Sequence, residues 1–410
     1  MLPPDVIAEA VLDVYGSLPR SCRPQPSGST PTYTILAGIV LVPDSGLPTV
    51  ISLGTGSKVL PSSKLPPSGD VLHDSHAEVI ARRGAIKWFM EEIRRGRDDW
   101  VKPVPGGRLA LREDVTVAMY ISCLPCGDAS MSYLAATQDP EMASLKDATG
   151  SPALSGLARG RDGYANYGAL RTKPGRADSP PTLSMSCSDK IAAWTVLGIQ
   201  GALLSSILDP VYLDQLVISG IPVELRDRAT VDCLRAFRDR LGQIGGLPRP
   251  FRQNVPQVDF SDASFVFSKE SLSAQNPSIT PLASSDSVSW VADAGLVESL
   301  VGGIRRGASL KSRKGLQPRG RSRICKLSLF NEYARLRHNL GLTVLSPDTT
   351  YRSAKLSASG SYDQAKTYLR SGHGPFADWM ISGTPWEAFD LEGNVAAGTV
   401  PRIIGTSAMV

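Results

Sequence analysis

Apolar residues recur along the first half of the chain in patterns that predict alternating strands and helices. Apolar runs bounded by turn residues predict strands, and apolar residues three and four apart predict helices. The predicted strands are 33–43, 48–54, 115–122, 201–207 and 216–219, with Asp44-Ser45-Gly46 as the turn between the first two. The predicted helices are 5–17, 76–94, 186–197 and one that opens at Pro125-Cys126-Gly127. Asp74-Ser75 is expected to cap the helix that begins at residue 76.

The second half of the chain is dominated by helical patterns. Helices are predicted over 223–241, 324–340 and 351–370, the last interrupted at Gly360. Loop-forming residues predict irregular structure at 61–69, 140–182 and 261–287. The alternation of strands and helices predicts a three-layer α/β/α sandwich with a mixed sheet. We expect one domain over residues 1–410, with a core at about 33–220 and a mainly helical C-terminal elaboration at about 221–410.

The composition is that of a globular protein. Of the 410 residues, 42% are hydrophobic and 20% are charged, which excludes an intrinsically disordered chain. Six scattered cysteines favour a reducing compartment. The first residues do not have the pattern of a signal peptide, and no apolar run approaches the length of a membrane span. We therefore expect an intracellular monomer, in the nucleus, the cytoplasm or both.

Positive charge is concentrated in one stretch of the chain. The net charge is +5, and no acidic residue occurs from Ser299 to Asn331. The basic residues of this stretch are Arg305, Arg306, Lys311, Arg313, Lys314, Arg319, Arg321, Arg323 and Lys326. With glycines and serines between them, they predict a mobile basic loop that can follow a phosphate backbone. The alternatives are a solvated surface loop and a nuclear import signal.

The strongest chemical pattern is His76-Ala77-Glu78, followed at a distance by Pro125-Cys126. A catalytic zinc ion takes three protein ligands, often nitrogen and sulfur, and keeps a fourth position for water. That water ionises near neutral pH and can attack a ring carbon that bears an amino group. Glu78 lies close enough to His76 to move a proton without being a ligand. The pattern is typical of zinc-dependent nucleobase deaminases.

The third protein ligand is missing from its usual place. In the common pattern a second cysteine follows the first as C-x-x-C, but here Cys126 is followed by Gly127-Asp128-Ala129-Ser130. Two candidates remain: Cys123, which forms a C-x-x-C with Cys126 in the reverse direction, and Cys187. An isolated cysteine is commonly a small buried apolar residue, which we expect of Cys22, Cys233 and Cys325.

Three spaced motifs make the chain resemble the adenosine deaminases that act on RNA and their tRNA-specific relatives. The motifs are His76-Ala77-Glu78, Pro125-Cys126-Gly127 and Ser186-Cys187-Ser188-Asp189-Lys190, accompanied in family order by 170–173, 198–204 and 322–326. The resemblance implies a cytidine-deaminase-like fold and the conversion of adenosine to inosine. It also implies zinc ligands His76, Cys126 and Cys187, with Glu78 as the proton shuttle.

Within this resemblance, tRNA is the expected substrate. We see no second nucleic-acid-binding module ahead of the motifs, which favours tRNA over double-stranded RNA. Family members of this layout deaminate the adenosine just 3′ of the anticodon in alanine tRNA, where the bases are already unpaired. The predicted RNA contacts are Lys58, Arg171, Lys173 and Arg176.

Three alternatives to this function are open. Deamination of double-stranded RNA is the nearest one. A deaminase of free nucleosides would have no need of the basic stretch at 305–326. A non-catalytic zinc protein that binds RNA would have no use for Glu78 beside an open coordination position.

The resemblance implies a second ligand, inositol hexakisphosphate, held inside the protein. Its expected contacts are Arg82, Arg83, Lys190, Lys326, Tyr351, Lys355, Tyr362, Lys366 and Trp379. Ala193 and Ala202 depart from the family, which has Arg and Ser there, and the spacing from Tyr351 to Tyr362 is one residue longer. Several buried cations would be costly without an anion to neutralise them. The alternative is that Arg82 pairs with Glu78 on the same helix or lies on the surface.

Overall fold

An eight-stranded mixed sheet lies at the centre of the computed structural model, which describes residues 1–137, 157–160, 163, 166–173, 179–295, 297–309 and 316–395. The strands are β1 (Thr32–Tyr33), β2 (Leu36–Pro43), β3 (Thr49–Thr55), β4 (Ser57–Val59), β5 (Asp74–His76), β6 (Val101–Val104), β7 (Arg108–Leu111), β8 (Val115–Ile121), β9 (Leu157–Arg159), β10 (Leu170–Thr172), β11 (Gln215–Ile218), β12 (Gln257–Phe260), β13 (Leu282–Ala283), β14 (Asp286–Val291), β15 (Val297–Val301) and β16 (Ile304–Arg305). The helices are α1 (Pro4–Ser17), α2 (Ala77–Arg95), α3 (Met131–Thr137), α4 (Cys187–Leu197), α5 (Gly201–Leu204), α6 (Arg226–Phe237), α7 (Lys269–Gln275), α8 (Lys326–Asn339), α9 (Tyr351–Ala358) and α10 (Gly360–Arg370).

The main sheet has the strand order β12–β11–β8–β2–β3–β14–β15–β16. Strands β8, β11 and β12 run parallel, and the other neighbours are antiparallel. The central strand β2 is buried from Leu36 to Val42, which explains its continuous apolar sequence. The strands predicted at 33–43, 48–54, 115–122 and 216–219 are therefore confirmed as β2, β3, β8 and β11, with small shifts at their ends.

Alternate residues of β2 face two different hydrophobic clusters. Ile39 and Leu41 pack into a large cluster that includes Ala81 and Ala85 of α2. Val40 packs on the opposite face, in a smaller cluster with residues of α1. Side chains of a strand alternate between the two faces of a sheet, so α1 and α2 must cover opposite faces. The predicted three-layer α/β fold is confirmed.

The C-terminal part is helical, as predicted, and it also extends the sheet. Helices α8, α9 and α10 follow the last strand, while β12, β14, β15 and β16 supply four of the eight strands of the main sheet. The elaboration after residue 221 is therefore built onto both edges of the sheet. Among the helices in the described ranges, none is long and apolar enough to cross a membrane.

Several predicted elements are wrong in detail. The strand predicted at 201–207 is instead the short helix α5, because a brief apolar run does not distinguish a buried strand from a buried helix. Helix α2 begins at Ala77 without a side-chain cap, and Asp74 belongs to β5. The helix expected to open at Pro125-Cys126-Gly127 starts later, because a 3₁₀ turn precedes α3.

Two other regions are more regular than predicted. The serine-rich segment 261–287 contains α7, which Ser268 caps by accepting a hydrogen bond from the Ser271 amide. The helical stretch 351–370 is two helices that meet at Ser359. Most of the predicted insertion 140–182 lies outside the described residues, although its strands β9 and β10 pair in parallel.

The packing of α2 against the sheet depends on Gly54. A Cβ atom at Gly54 would lie 2.4 Å from Ile80 Cγ2 and 2.9 Å from the Ala77 carbonyl oxygen. We expect Gly54→Ala to lower the free energy of unfolding by about 1–3 kcal/mol, because the overpacked helix must shift. Urea denaturation measures this change. The matched control is Gly16→Ala, where a Cβ would meet nothing within 4 Å and no loss is expected. Equal denaturation midpoints for the two variants would contradict the prediction.

Candidate functional site

The residues proposed as metal ligands come from three separate segments that meet after the end of β8. His76 ends β5 and precedes the first residue of α2. Cys126 lies in the loop after β8, and Cys187 is the first residue of α4. Ser186 caps α4, since its side chain accepts a hydrogen bond from the Asp189 amide. Each ligand is thus fixed by regular structure on at least one side.

The three ligand atoms have the spacing of a tetrahedral zinc site. His76 Nδ1 lies 3.8 Å from Cys126 Sγ and 3.6 Å from Cys187 Sγ. Ordinary zinc–sulfur and zinc–nitrogen bond lengths place such atoms about 3.5 Å apart at a tetrahedral angle. All three atoms lie within 4.8 Å of one another. One imidazole and two thiols in this arrangement fit a zinc ion with a fourth position open.

The geometry separates the two candidates for the third ligand. Cys187 donates its backbone N–H to Cys126 Sγ at 3.3 Å. Cys123, in contrast, lies outside the cluster of metal-binding atoms found among the described residues, and its Sγ is 3.5 Å from the Leu124 carbonyl oxygen. The arrangement therefore favours Cys187.

Close packing at Gly127 brings the two cysteines together. Gly127 has a φ of 107°, which side-chain-bearing residues rarely adopt, and a Cβ there would lie 2.2 Å from Ser186 Oγ. The Ser188 amide donates to the Cys126 carbonyl oxygen at 2.9 Å, across the same contact. Only a glycine lets the Cys126 loop lie this close to the start of α4.

The two thiols titrate as a pair. A hydrogen bond with Cys187, followed by the charges of Lys173 and His76, holds the pKa of Cys126 well below its ordinary value. Burial and the neighbouring Cys126 thiolate raise the pKa of Cys187 well above its ordinary value. These opposite shifts favour ionisation of Cys126 before Cys187, and a metal that binds both sulfurs as thiolates must displace the remaining thiol proton.

Glu78 is a buried carboxyl group in the first turn of α2, and it is only 2% exposed. Among the described residues, its Oε2 atom has no hydrogen-bond partner. Burial raises its pKa, even though His76 lowers it in part. A carboxyl group with a raised pKa can both accept and donate a proton near neutral pH. Its place two residues after His76 puts it beside the ligand cluster.

A buried ion-pair network lies behind the ligands. Lys173 Nζ donates to Asp74 Oδ2 at 2.8 Å and lies 3.2 Å from Cys187 Sγ. Lys190 Nζ also donates to Asp74 Oδ2, and to Ser184 Oγ at 2.7 Å. Although burial opposes ionisation, Lys173 and Lys190 hold the pKa of Asp74 well below its ordinary range. Asp74 is therefore an anion shared by two lysines.

A basic cavity of about 400 Å³ lies on the other side of this network. All nine residues expected to hold an inositol phosphate line it: Arg82, Arg83, Lys190, Lys326, Tyr351, Lys355, Tyr362, Lys366 and Trp379. Arg352 and Arg370 add two further cations, whereas Asp74 and Glu387 are the carboxylates that line it among the residues the structure describes. Ala193 and Ala202, the two departures from the family pattern, also line it.

The cavity holds more positive charge than its carboxylates neutralise. Burial lowers the pKa of Lys326 to about 8 and that of Arg82 to about 10. Arg82 Nε and Arg83 Nη2 are buried, and neither has a hydrogen-bond partner in the described part of the chain. The Arg82 guanidinium lies 5.1 Å from the centre of the Trp194 ring. Glu78 Oε2 has no partner among the described residues, so the alternative pair of Arg82 with Glu78 does not form through that oxygen. Unpaired buried cations are costly, so the cavity fits a polyanion.

Three of the four predicted RNA contacts lie within the described residues, in different environments. Lys58 is exposed on β4, opposite Ser75 of β5. Arg171 is completely buried and donates to the carbonyl oxygens of Gly163 and Asn166. Lys173 is 3% exposed and pairs with Asp74, as described above. We therefore assign Arg171 and Lys173 to the interior of the site rather than to an RNA contact. Arg176 lies outside the described residues.

In the described part of the basic stretch 305–326, several basic side chains have acidic neighbours or line the cavity, which the sequence does not predict. Arg305 lies 3.7 Å from Glu298, Arg306 pairs with Asp286, and Lys326 lines the cavity. Lys311, Arg313 and Lys314 lie outside the described residues. Acidic residues on neighbouring strands thus neutralise part of a stretch that contains no acidic residue of its own.

Sequence reasoning missed the acidic members of the network. The sequence pattern predicts a helix cap at Asp74, although its position next to the histidine motif is a signal for a role in the site. The sequence around Glu387 has no comparable signal, because its partner Lys355 is distant in sequence. In the structure, Glu387 Oε1 lies 2.6 Å from Lys355 Nζ. Only folding brings these two groups together.

Comparison with known proteins agrees with this geometry. A family model described as the adenosine-deaminase (editase) domain matches residues 52–382. The chain is 29% identical to tRNA-specific adenosine deaminase 1 of Saccharomyces cerevisiae, over 81% of this chain and 83% of that protein. It is 29% identical to the protein of the same name in Schizosaccharomyces pombe, over 92% and 95%. It is also 29% identical to double-stranded RNA-specific editase B2 of Mus musculus, over 82% of this chain and 44% of that protein.

Removing the charge of Asp74 tests the buried network. We expect Asp74→Asn to lower the free energy of unfolding by about 3–5 kcal/mol, because Lys173 and Lys190 lose their shared counter-ion. Urea denaturation measures the loss. The control is Glu113→Gln, which breaks an exposed 3.2 Å pair with Lys102 and should change stability little. A stability loss no larger than that of the control would show that the network does not hold the fold together.

Proposed function

The chain belongs to the adenosine-deaminase (editase) family, and on that premise we propose that it converts adenosine to inosine in tRNA. The observation that carries the proposal is the buried Glu78 carboxyl group beside the His76, Cys126 and Cys187 cluster. Its Oε2 atom has no hydrogen-bond partner among the described residues. The named tRNA deaminases of two yeasts, similar over most of their length, support the choice of RNA.

We infer that His76, Cys126 and Cys187 hold a zinc ion. A bound zinc ion would supply Lewis acidity and lower the pKa of a water molecule at the open position. The hydrolysis consumes one water, breaks the bond between C6 and the amino nitrogen, and releases ammonia. Glu78 accepts a proton from the attacking water and returns it to the purine or to the departing amino group. Its raised pKa suits both transfers.

Lys173 stabilises the proposed ligand Cys187 electrostatically. Its ammonium group lies 3.2 Å from Cys187 Sγ and stays charged, because Asp74 and the thiolates raise its pKa in spite of burial. A fixed positive charge favours the thiolate form of Cys187, whose pKa burial raises. Lys173 is thus a positioning residue that acts through the ligand.

The proposed target is the adenosine just 3′ of the anticodon of alanine tRNA. A deaminase needs an unstacked base, and an anticodon loop offers unpaired bases at small energetic cost. Lys58 supports an approach from the β4 side, because it is exposed on the strand that pairs with the His76 end of β5. Double-stranded RNA is the alternative substrate. The similarity to a double-stranded RNA-specific editase supports this alternative.

We also propose that the basic cavity holds inositol hexakisphosphate. Within the described ranges, eight basic side chains line it against two carboxylates, and both cavity arginines of α2 have a buried N–H group without a partner. A highly phosphorylated ligand would neutralise this charge and satisfy those donors. Its role would be structural, since it would stabilise the packing of α8, α9 and α10 against α2 and α4.

A comparison of wild type and Glu78→Gln tests the catalytic proposal. We expect wild type to form inosine in an unmodified alanine tRNA transcript, and the variant to lose at least about a hundredfold in kcat, because proton transfer is removed. Zinc content should stay the same, because Glu78 is not a ligand. Inosine is detected by sequencing and zinc by elemental analysis.

The control for that experiment is Glu9→Gln, on the exposed surface of α1, which should keep wild-type activity. A zinc-loaded wild type that leaves this tRNA unchanged but edits double-stranded RNA would shift the substrate to the alternative. Full activity of Glu78→Gln would remove the proton-transfer role.

The low pKa of Lys326 predicts how polyanion binding depends on pH. In the cavity without an anion, Lys326 loses its proton at about pH 8, whereas a bound polyanion favours the charged form. Affinity for inositol hexakisphosphate should therefore fall by about tenfold between pH ~7 and ~9. Thermal stabilisation by added ligand, or titration calorimetry, measures it.

Lys326→Arg is the matched control, because an arginine stays charged over this range and should flatten the pH dependence. An affinity that is independent of pH in wild type would argue against this role for Lys326. No affinity at any pH would remove the polyanion proposal.

A further inference from the structure

An exposed tyrosine is held against the loop that carries the proposed ligand Cys126. Tyr167 is 51% exposed, and its neighbour Gly168 donates a backbone N–H to Asp128 Oδ1 at 2.8 Å. Asp128 is completely buried and follows the proposed ligand Cys126 by two residues. The tyrosine is therefore anchored to the loop that carries one of the metal ligands.

Arg235 covers one face of the Tyr167 ring. Its guanidinium carbon lies 4.5 Å from the ring centre. Its position is fixed by Asp128, which accepts from Nε at 3.1 Å and, through its carbonyl oxygen, from Nη2 at 2.8 Å. Asp232, which is also buried, accepts from Nη1 at 2.7 Å.

Further hydrogen bonds fix Asp232, one of the two aspartates that hold Arg235. Ser132 donates its amide to Asp232 Oδ2 at 2.8 Å and its hydroxyl to Oδ1 at 2.6 Å. All three nitrogens of the guanidinium are thus engaged while its plane still meets the ring. The tyrosine ring has a rigid cation on one face, and 51% of the residue is exposed to solvent. Such a preordered aromatic surface loses little conformational entropy on binding.

We propose that the open face of Tyr167 stacks on an unpaired base of the substrate RNA, next to the adenosine that reacts. This inference rests on the proposed function and names a residue that positions its substrate. Aromatic side chains are the usual platforms for unpaired bases, and the cation–π contact with Arg235 stabilises the ring in place. An exposed ring suits a neighbouring base better than the reacting base, which must enter the buried site.

Other chemistry fits this surface less well. A phosphate group would find a phenol ring rather than a free cation, because the carboxylates of Asp128 and Asp232 already engage Arg235. Tyr368 of α10, also exposed in the described part of the chain, does not line the basic cavity and serves as a matched control.

The test is a cycle that removes the ring and the base separately. Binding of the alanine tRNA anticodon stem–loop is measured in a Glu78→Gln background, which slows turnover, against a series of stem–loops that are abasic at one loop position each. With Tyr167 present, one abasic position should weaken binding by about tenfold to a hundredfold. With Tyr167→Ala, that same position should have no further effect, because ring and base act as a pair.

The controls separate stacking from folding. Tyr167→Phe should keep the effect of the abasic position, Tyr167→Leu should lose it, and Tyr368→Ala should leave it unchanged. Zinc content and thermal midpoint should match across the set, because Tyr167 is exposed.

Two results would overturn the inference. One is unchanged RNA affinity in Tyr167→Ala, and the other is an equal loss on intact and abasic stem–loops alike. Inosine formation by wild type on the same RNA is measured in parallel. If no inosine forms, the proposed function is wrong, while the binding measurements still test whether Tyr167 stacks on a base. If the stem–loop does not bind at all, the proposed function and the stacking of Tyr167 are both wrong.

Discussion

The buried carboxylate of Asp74 is the interaction on which the rest of the site depends. It accepts hydrogen bonds from Lys173 on the side of the cysteines and from Lys190 on the side of the basic cavity. Two ammonium groups so close together, one buried and one partly buried, would be strongly destabilising without an anion between them. Because Lys173 also lies against Cys187 Sγ, the charge of Asp74 affects the proposed metal ligands and the cavity together. A change at either end therefore alters the electrostatics at the other.

Helix α2 fixes the distance between the two halves of the site. His76 precedes its first residue, Glu78 lies in its first turn, and Arg82 and Arg83 point into the cavity about one turn later. A helix rises about 1.5 Å per residue, so the carboxyl group and the cavity arginines are held about 6 Å apart along its axis. Gly54 lets this helix lie close to the sheet, and the sheet continues into the C-terminal strands. The catalytic geometry is thus coupled to the packing of the whole domain.

Local sequence patterns predicted the elements whose signal is strong and repeated. The apolar run of β2 and the serine-capped start of α4 each follow from a physical rule that acts within a few residues. The prediction failed at 201–207, where a short apolar run carries no period, and at Asp74, whose carboxylate has a tertiary partner instead of a helix end to cap. It also placed Arg171 and Lys173 on an RNA surface, because a basic side chain in a loop gives no sign of a buried partner.

The sequence by itself determined the chemistry: one imidazole, one carboxyl group and several cysteines in spaced motifs, with basic residues distributed over the helices. Side-chain identity and short-range spacing are written in the chain, so the zinc chemistry and the α/β layers could be predicted from it. Only the tertiary structure decided which cysteine joins His76 and Cys126, which cations face one cavity, and which are neutralised by distant carboxylates. These outcomes depend on contacts between residues far apart in sequence, where electrostatic energy is set by distance and burial rather than by local pattern.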